Sequence, residues 1–281
     1  MADSSVRAVT TNQTDIYKNL EQVVRKYAAT RFLRPVADHT REAFESAKEF
    51  VRKFYASENS ATSVPASASA GSPSNAEGSL PASYCVILDS GCGTGESTLH
   101  LARKFPGVPV IGIDKSAMRL NKAGNIHQLE AAGTDQPANA FWVRAELLDF
   151  WKLALEEVQA GRWQVLHHAV YYPNPWPKES EATRRFHLHP IFPTLMALGD
   201  ITELRTNWEI YAREFAEATR ILQNATTGAE PNPNNADATT RDTDNTAAIS
   251  CEPFAPLHPE TAFERKYKEA RQQLWRVLIK K

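Results

Sequence analysis

Four short stretches hold side chains whose types and spacing could do chemistry. In LDSGCGTGES, Asp89 precedes Gly91, Gly93 and Gly95. Glycine permits tight turning and close backbone approach, and the first N–H groups of a helix lack intrahelical partners, so a ligand can lie against this main chain. The spacing is G-x-G-x-G. Glu96 stands where a dinucleotide fingerprint needs its third glycine, and the G-K-[ST] of a phosphate-binding loop is missing.

With no phosphate to hold, the loop suits the amino acid and ribose portion of S-adenosyl-L-methionine. The second stretch, VIGIDKS, supplies a matching group. Asp114 ends an apolar run about twenty residues beyond the glycines, where a carboxylate can accept hydrogen bonds from both ribose hydroxyls. In the third, VRAELLDF, Ala145 and Glu146 are offered to an adenine ring and its amino group. Three acidic strand ends in order, Asp89, Asp114 and Glu146, favour a nucleoside carrying a positive sulfonium and ammonium over an anionic dinucleotide. S-adenosyl-L-methionine is therefore the expected cofactor.

The fourth stretch, YYPNPWPKESEATRR, spans Tyr171 to Arg185. Pro173, Pro175 and Pro177 remove backbone freedom and hold the side chains between them, so Asn174 and Trp176 are presented to a ligand. An amide and an aromatic face suit a flat heterocycle that must be hydrogen-bonded and stacked. Lys178, Arg184 and Arg185 suit a phosphate backbone.

Short apolar runs alternating with helical patterns must position these loops. YCVILD, VPVIGID, AFWVRA, WQVLHHAV and DITELRT read as strands. ESTLHLARKF, KSAMRLNKAGNIHQLEAA, LLDFWKLALEEVQ and WEIYAREFAEATRIL read as helices. The alternation predicts an α/β fold, a Rossmann-like, doubly wound and mostly parallel sheet of the class I methyltransferase kind. Each loop above then lies at a strand's carboxyl end, where such sheets bind ligands. Residues 1–56 predict an N-terminal extension of amphipathic helices, residues 57–83 a disordered linker rich in Ser, Ala, Pro and Gly, and residues 84–281 the catalytic domain. That domain carries a low-complexity insertion at about 223–253.

The 281 residues are 42% hydrophobic, enough for a sizeable core, and their net charge of -1 neither demands nor excludes nucleic acid. Local charge is more telling: from Thr261 to Lys281, seven Lys or Arg face two Glu. Cys85, Cys92 and Cys251 lack the count and spacing of a disulfide frame or zinc site, and the paired histidines 167–168 and 187/189 lack further ligands, so no metal is expected. No apolar run reaches the length of a membrane span, and the first residues lack the apolar stretch of a secretory signal. An intracellular protein, cytoplasmic or nuclear, is expected.

These residues resemble the tRNA (guanine-N7-)-methyltransferases of the bacterial type. YPNPWPK is similar to that family's Pro-Asp-Pro-Trp loop with its basic residues, and TAFERKYKEARQQLWRVLI is similar to its Thr-x-x-Glu and final strand. The resemblance runs from about Tyr84 to Leu222 and resumes at Thr261. It places the family's cofactor acids on Asp89, Asp114 and Glu146, each exchanging Asp and Glu relative to the usual pattern. It places the substrate lysine on Lys178, and Thr-x-x-Glu on Thr261 and Glu264. Two carboxylates become amides: the catalytic aspartate is replaced by Asn174, and an Asp-Trp by Asn207-Trp208. The resemblance implies methyl transfer to N7 of a guanine in tRNA. Another base or exocyclic amine, and a non-catalytic binder of cofactor and RNA, remain as alternatives, and a partner subunit is left open.

Overall fold

The computed structural model describes residues 8–61, 83–122, 137–227 and 247–281. Seven strands form one sheet in the order β3-β2-β1-β4-β5-β7-β6. β1 (Tyr84–Ser90), β2 (Val110–Asp114), β3 (Ala140–Arg144), β4 (Trp163–Tyr171) and β5 (Gly199–Thr206) are parallel. β7 (Leu274–Lys280) runs antiparallel between β5 and β6 (Ala248–Phe254). The central strands are apolar on successive residues rather than alternating, as strands covered on both faces must be. Val86 and Leu88 join the main core cluster, whereas Ile87 joins a smaller one with Leu101 and Val110.

The smaller cluster lies under α3 (Glu96–Lys104). The main one is built with α1 (Leu20–Ala28), α2 (Asp38–Ala61), α4 (Leu147–Gln159), α5 (Phe192–Leu198) and α6 (Glu209–Thr227). α7 (Ala262–Glu269) precedes β7. Gly112 marks the closest approach on the α3 side: a Cβ there would meet Thr98 Oγ1 at 2.5 Å and Trp142 Cδ1 at 2.8 Å. Only glycine lets that helix and the β3 indole close on β2.

The N-terminal helices pack directly on the sheet unit. Phe44 meets Phe150 and Trp163, with centroids 4.9 and 5.2 Å away, and Phe50 stacks on Phe141 at 4.7 Å. Arg34 pairs with buried Asp149 at 2.8 Å.

Ordered elements reach further into the low-complexity stretches than composition suggests. α2 continues to Ala61, past the expected boundary at 57, because a helix already nucleated by its buried stripe extends at little further cost. α6 continues to Thr227, and 248–254 pair with β7, so strand pairing takes up residues that composition assigns to the insertion. Residues 62–82 and 228–246, which hold the rest of those two stretches, lie outside the described residues. So does most of the helix expected after β2, of which 117–122 are helical.

Candidate active site

The strand order reverses at the β1/β4 pair, and ligands of open α/β sheets bind outside the carboxyl ends at that point. The glycine loop leaves β1 and the proline-rich loop leaves β4, so the two flank the crevice. Gly91, Gly93 and Gly95 have φ of 80°, 59° and 82°, the left-handed region that only glycine enters without strain. Gly91 N–H donates to Ile113 O at 2.8 Å, and Gly93 N–H donates to Asp114 Oδ2 at 3.1 Å. The loop is thus folded back onto the end of β2.

Two adjoining cavities fill the crevice, of about 600 and 580 Å³. Asp114, Glu146, Leu147 and Trp176 line the first; Gly93, Asn207, Thr261 and Phe263 line the second; Gly91 and Asn174 line both. Asp114 is 3% exposed; its Oδ1 accepts from Ser116 N–H at 2.7 Å and pairs with Arg119 at 3.2 Å. Glu146 is the N-cap residue of α4, and its N–H donates to Thr40 Oγ1 at 3.2 Å.

Other expected ligands hold the frame instead. Asp89 is buried, and its Oδ2 accepts from Ser97 and Thr98 hydroxyls at 2.7 and 2.6 Å, tying α3 to β1. Burial raises its pKa to about 6, against the lowering effect of those two hydroxyls. Gly95 is the left-handed N-cap of α3. Ala145 is fully buried, and its N–H donates to Asp114 O at 3.1 Å.

Along the proline-rich loop, Asn174 is exposed and its Oδ1 accepts from Trp176 N–H at 3.4 Å. Trp176 lies in the first cavity with the Arg184 guanidinium 3.4 Å from its ring centroid, so one indole face already carries a cation. It is not an open stacking face on the second cavity. Lys178 is exposed at the start of a 3-10 turn over Glu179–Arg184, outside both cavity walls.

Arg185 is a correction: it is not available to phosphate. Its guanidinium is fully buried, pairing with Glu214 at 2.7 Å and donating to Gln13 Oε1 and Trp176 O, each at 2.9 Å. Burial opposes ionisation of Glu214, but His187 and Arg185 outweigh it and hold the carboxyl at about 2. This buried hub anchors the back of the proline-rich loop to α6 and to the N-terminal segment.

Glu264 is a second correction. It is fully buried, accepting from Tyr172 Oη at 3.0 Å, Arg205 Nη1 at 2.9 Å and Glu260 N–H at 2.6 Å. Thr261 Oγ1 accepts from Glu264 N–H at 3.0 Å and caps α7. The Thr-x-x-Glu is a helix cap joined to a buried ion pair, close to a capping box. Thr261 still lines the second cavity, as does Asn207, whose side-chain amide donates to Gln272 Oε1 at 3.2 Å.

The basic C-terminal stretch is divided by the reversed direction of β7. Lys280 pairs with Ile201, at the opposite end of the sheet from the crevice, and Arg276 pairs with Glu252. Sequence reasoning passed over Tyr172, Phe263, Lys266 and Tyr267, all in the second cavity wall. Phe263 and Tyr267 at i, i+4 on a basic helix were the available signal. Among the described residues, no group of His, Cys, Asp and Glu could hold a metal ion, and no helix is long and apolar enough to cross a membrane.

A doubly wound sheet with a left-handed glycine cradle, an acid ending β2 and a motif loop ending β4 defines the class I methyltransferase architecture. Residues 83–277 match the Methyltransf_4 family, described as "Putative methyltransferase", and the chain belongs to that family. The tRNA (guanine-N(7)-)-methyltransferase of Mycobacterium avium (strain 104) is 30% identical over 136 residues, 47% of this chain and 48% of that protein. The like-named protein of Neisseria meningitidis (strain FAM18) is 24% identical over 212 residues, 74% and 77% of the two chains. The chain thus spans about half the length of the mycobacterial relative. Among solved structures, 16S rRNA methyltransferase KamB aligns with a TM-score of 0.43 at 17% identity, covering 70% of this chain and 87% of that one. The METTL16 methyltransferase domain aligns with a TM-score of 0.41 at 12% identity, covering 71% and 61%.

The cofactor is S-adenosyl-L-methionine, and the residues fit it. The glycine cradle leaves backbone open at the crevice, and the buried Asp114 carboxylate lines the first cavity beside Glu146.

Proposed function

We propose that the chain transfers the methyl group of S-adenosyl-L-methionine to N7 of a guanine in tRNA. The observation that carries this reading is the place of Asn174: its proline-held loop borders the cofactor-side cavity and the neighbouring cavity alike. When bound, the cofactor supplies a methyl carried on a sulfonium. Guanine N7 has an in-plane lone pair and no proton, so the protein need only align the base and place charge. Asn174 aligns the base by accepting and donating hydrogen bonds at its edge, and Asn207 faces the same cavity with a second amide. Asp114 holds the ribose. Lys178 and Arg184, both exposed, meet the RNA backbone. The tRNA substrate is supported by the names of the relatives, and such an enzyme works inside the cell.

The two amides favour one alternative, transfer to another base or to an exocyclic amine. Incubating the protein with labelled cofactor and bulk tRNA, then digesting the RNA, separates the readings. 7-Methylguanosine is expected; a different methylated nucleoside would hand first place to the alternative, and no product at all would favour a binder. Asp114→Ala should weaken cofactor binding by about 1.5–3 kcal/mol, the range for a charged hydrogen bond. Calorimetry showing equal affinity would remove Asp114 from the site.

A further inference from the structure

The second cavity carries a group of rings that the reaction above leaves without a task. Phe263 and Tyr267 stand one turn apart on α7, with rings 20° from parallel and centroids 6.1 Å apart. Tyr172 leans toward both, 6.1 Å from Phe263 and 5.5 Å from Tyr267. All three line the cavity, which also has the Asn174 and Asn207 amides in its wall. Phe263 is 49% exposed. A single exposed apolar side chain is ordinary on a protein surface. What sets Phe263 apart is its membership of a three-ring wall in a cavity bordered by the loop of Asn174.

The wall is held from several sides. Tyr172 has φ of 51°, a strained value for a bulky residue, and its hydroxyl donates to the buried Glu264 at 3.0 Å. Arg205 grips the same carboxylate from β5. Across the rim, Arg265 pairs with Glu96 at 2.7 Å, latching α7 to the start of α3. Of the other cations on α7, Lys268 donates to Leu257 O, whereas Lys266 lines the cavity beside the rings.

We propose that Phe263, backed by the buried Tyr267, forms the face on which the acceptor purine stacks, and that Lys266 meets the phosphate of that same nucleotide. The inference rests on the nucleobase reading above and gives it a specificity element. Aromatic faces hold any flat base by stacking, while the amides at the wall test its edge. An aliphatic or small acyl acceptor would gain nothing from this arrangement.

The test uses the full chain with S-adenosylhomocysteine in the cofactor side and guanosine 5′-monophosphate as probe. Saturation-transfer NMR should show contact at the purine protons, lost in Phe263→Leu and kept in Phe263→Tyr. With tRNA, Phe263→Leu should lower kcat/KM by roughly ten- to a hundredfold, mainly through KM, with Phe263→Tyr near wild type. Cofactor affinity should be unchanged in both variants, which a merely misfolded protein would not give. Lys266→Ala should reduce the salt slope of tRNA binding by about one.

Unchanged KM and unchanged purine contact in Phe263→Leu would overturn the stacking face. The two proposals fail separately. Wild-type protein that contacts the nucleotide through Phe263 yet leaves no 7-methylguanosine in tRNA supports the face and sinks the guanine-N7 reading. The reverse pattern, 7-methylguanosine formed with Phe263→Leu unimpaired, sinks the face alone.

Discussion

At the scale of single residues, the crevice puts amides where the similar family has carboxylates. An aspartate at position 174 would accept two hydrogen bonds from guanine N1–H and the exocyclic amino group; Asn174 accepts one and adds a donor. Asn174 is exposed and, among the described residues, its side chain accepts only a long hydrogen bond from Trp176 N–H, so its replacement leaves the frame intact. Asn174→Ala should therefore lower turnover by roughly 10–100-fold through misalignment of the base, with tRNA affinity close to wild type. Asn174→Asp should keep or raise 7-methylguanosine formation. If that variant instead loses most activity, and the wild-type product lacks 7-methylguanosine, the amide serves a different acceptor.

At the scale of elements, the residues that look like ligands in the sequence divide into those that face the crevice and those that build its walls. A motif records which residues travel together, not which way each side chain turns. Gly91, Asp114 and Glu146 are legible because strand ends and left-handed turns leave local marks in the chain. Glu264 and Arg185 are not, because their partners, Arg205 and Glu214, lie on β5 and α6, far away in sequence. The same logic hides the aromatic wall, whose Tyr172 is supplied by a loop some ninety residues from α7. Composition likewise cannot see that residues 248–254 find a partner strand in β7. The assignment of Glu264 to the frame has a measurable consequence. Thr261→Ala removes a helix cap and should cost about 1 kcal/mol in urea unfolding. Glu264→Ala leaves a buried guanidinium with one fewer carboxylate and should cost about 3 kcal/mol or more. A substrate ligand would behave otherwise, with stability near wild type and only turnover reduced.

For the whole molecule, the switch point also sits over two buried titratable groups, His168 and Asp89, so folding itself should answer to pH. His168 on β4 is fully buried. Its Nε2 lies 2.8 Å from Ser90 Oγ, which also accepts from the Trp151 indole N–H at 2.8 Å. Burial, then the charges of His167 and Lys281, lower its pKa to about 3. The folded state therefore binds fewer protons than the unfolded chain below pH 6.5, and stability is lost as pH falls through that value. Asp89 has the opposite sign. Burial lifts its folded pKa to about 6 from 3.8, so the folded state holds the extra proton and gains stability as pH falls from 6 toward 3.8. From pH 7 to pH 5 the histidine removes about 2 kcal/mol and the aspartate returns about 1 kcal/mol. His187, lowered by burial, adds to the loss but does so equally in variants at the other two positions. Urea unfolding at the two pH values should show His168→Gln losing about 2 kcal/mol less than wild type, and Asp89→Asn losing about 1 kcal/mol more. Parallel losses in all three proteins would mean that neither group titrates differently on folding, and that the buried floor of the crevice is wetter than its packing implies.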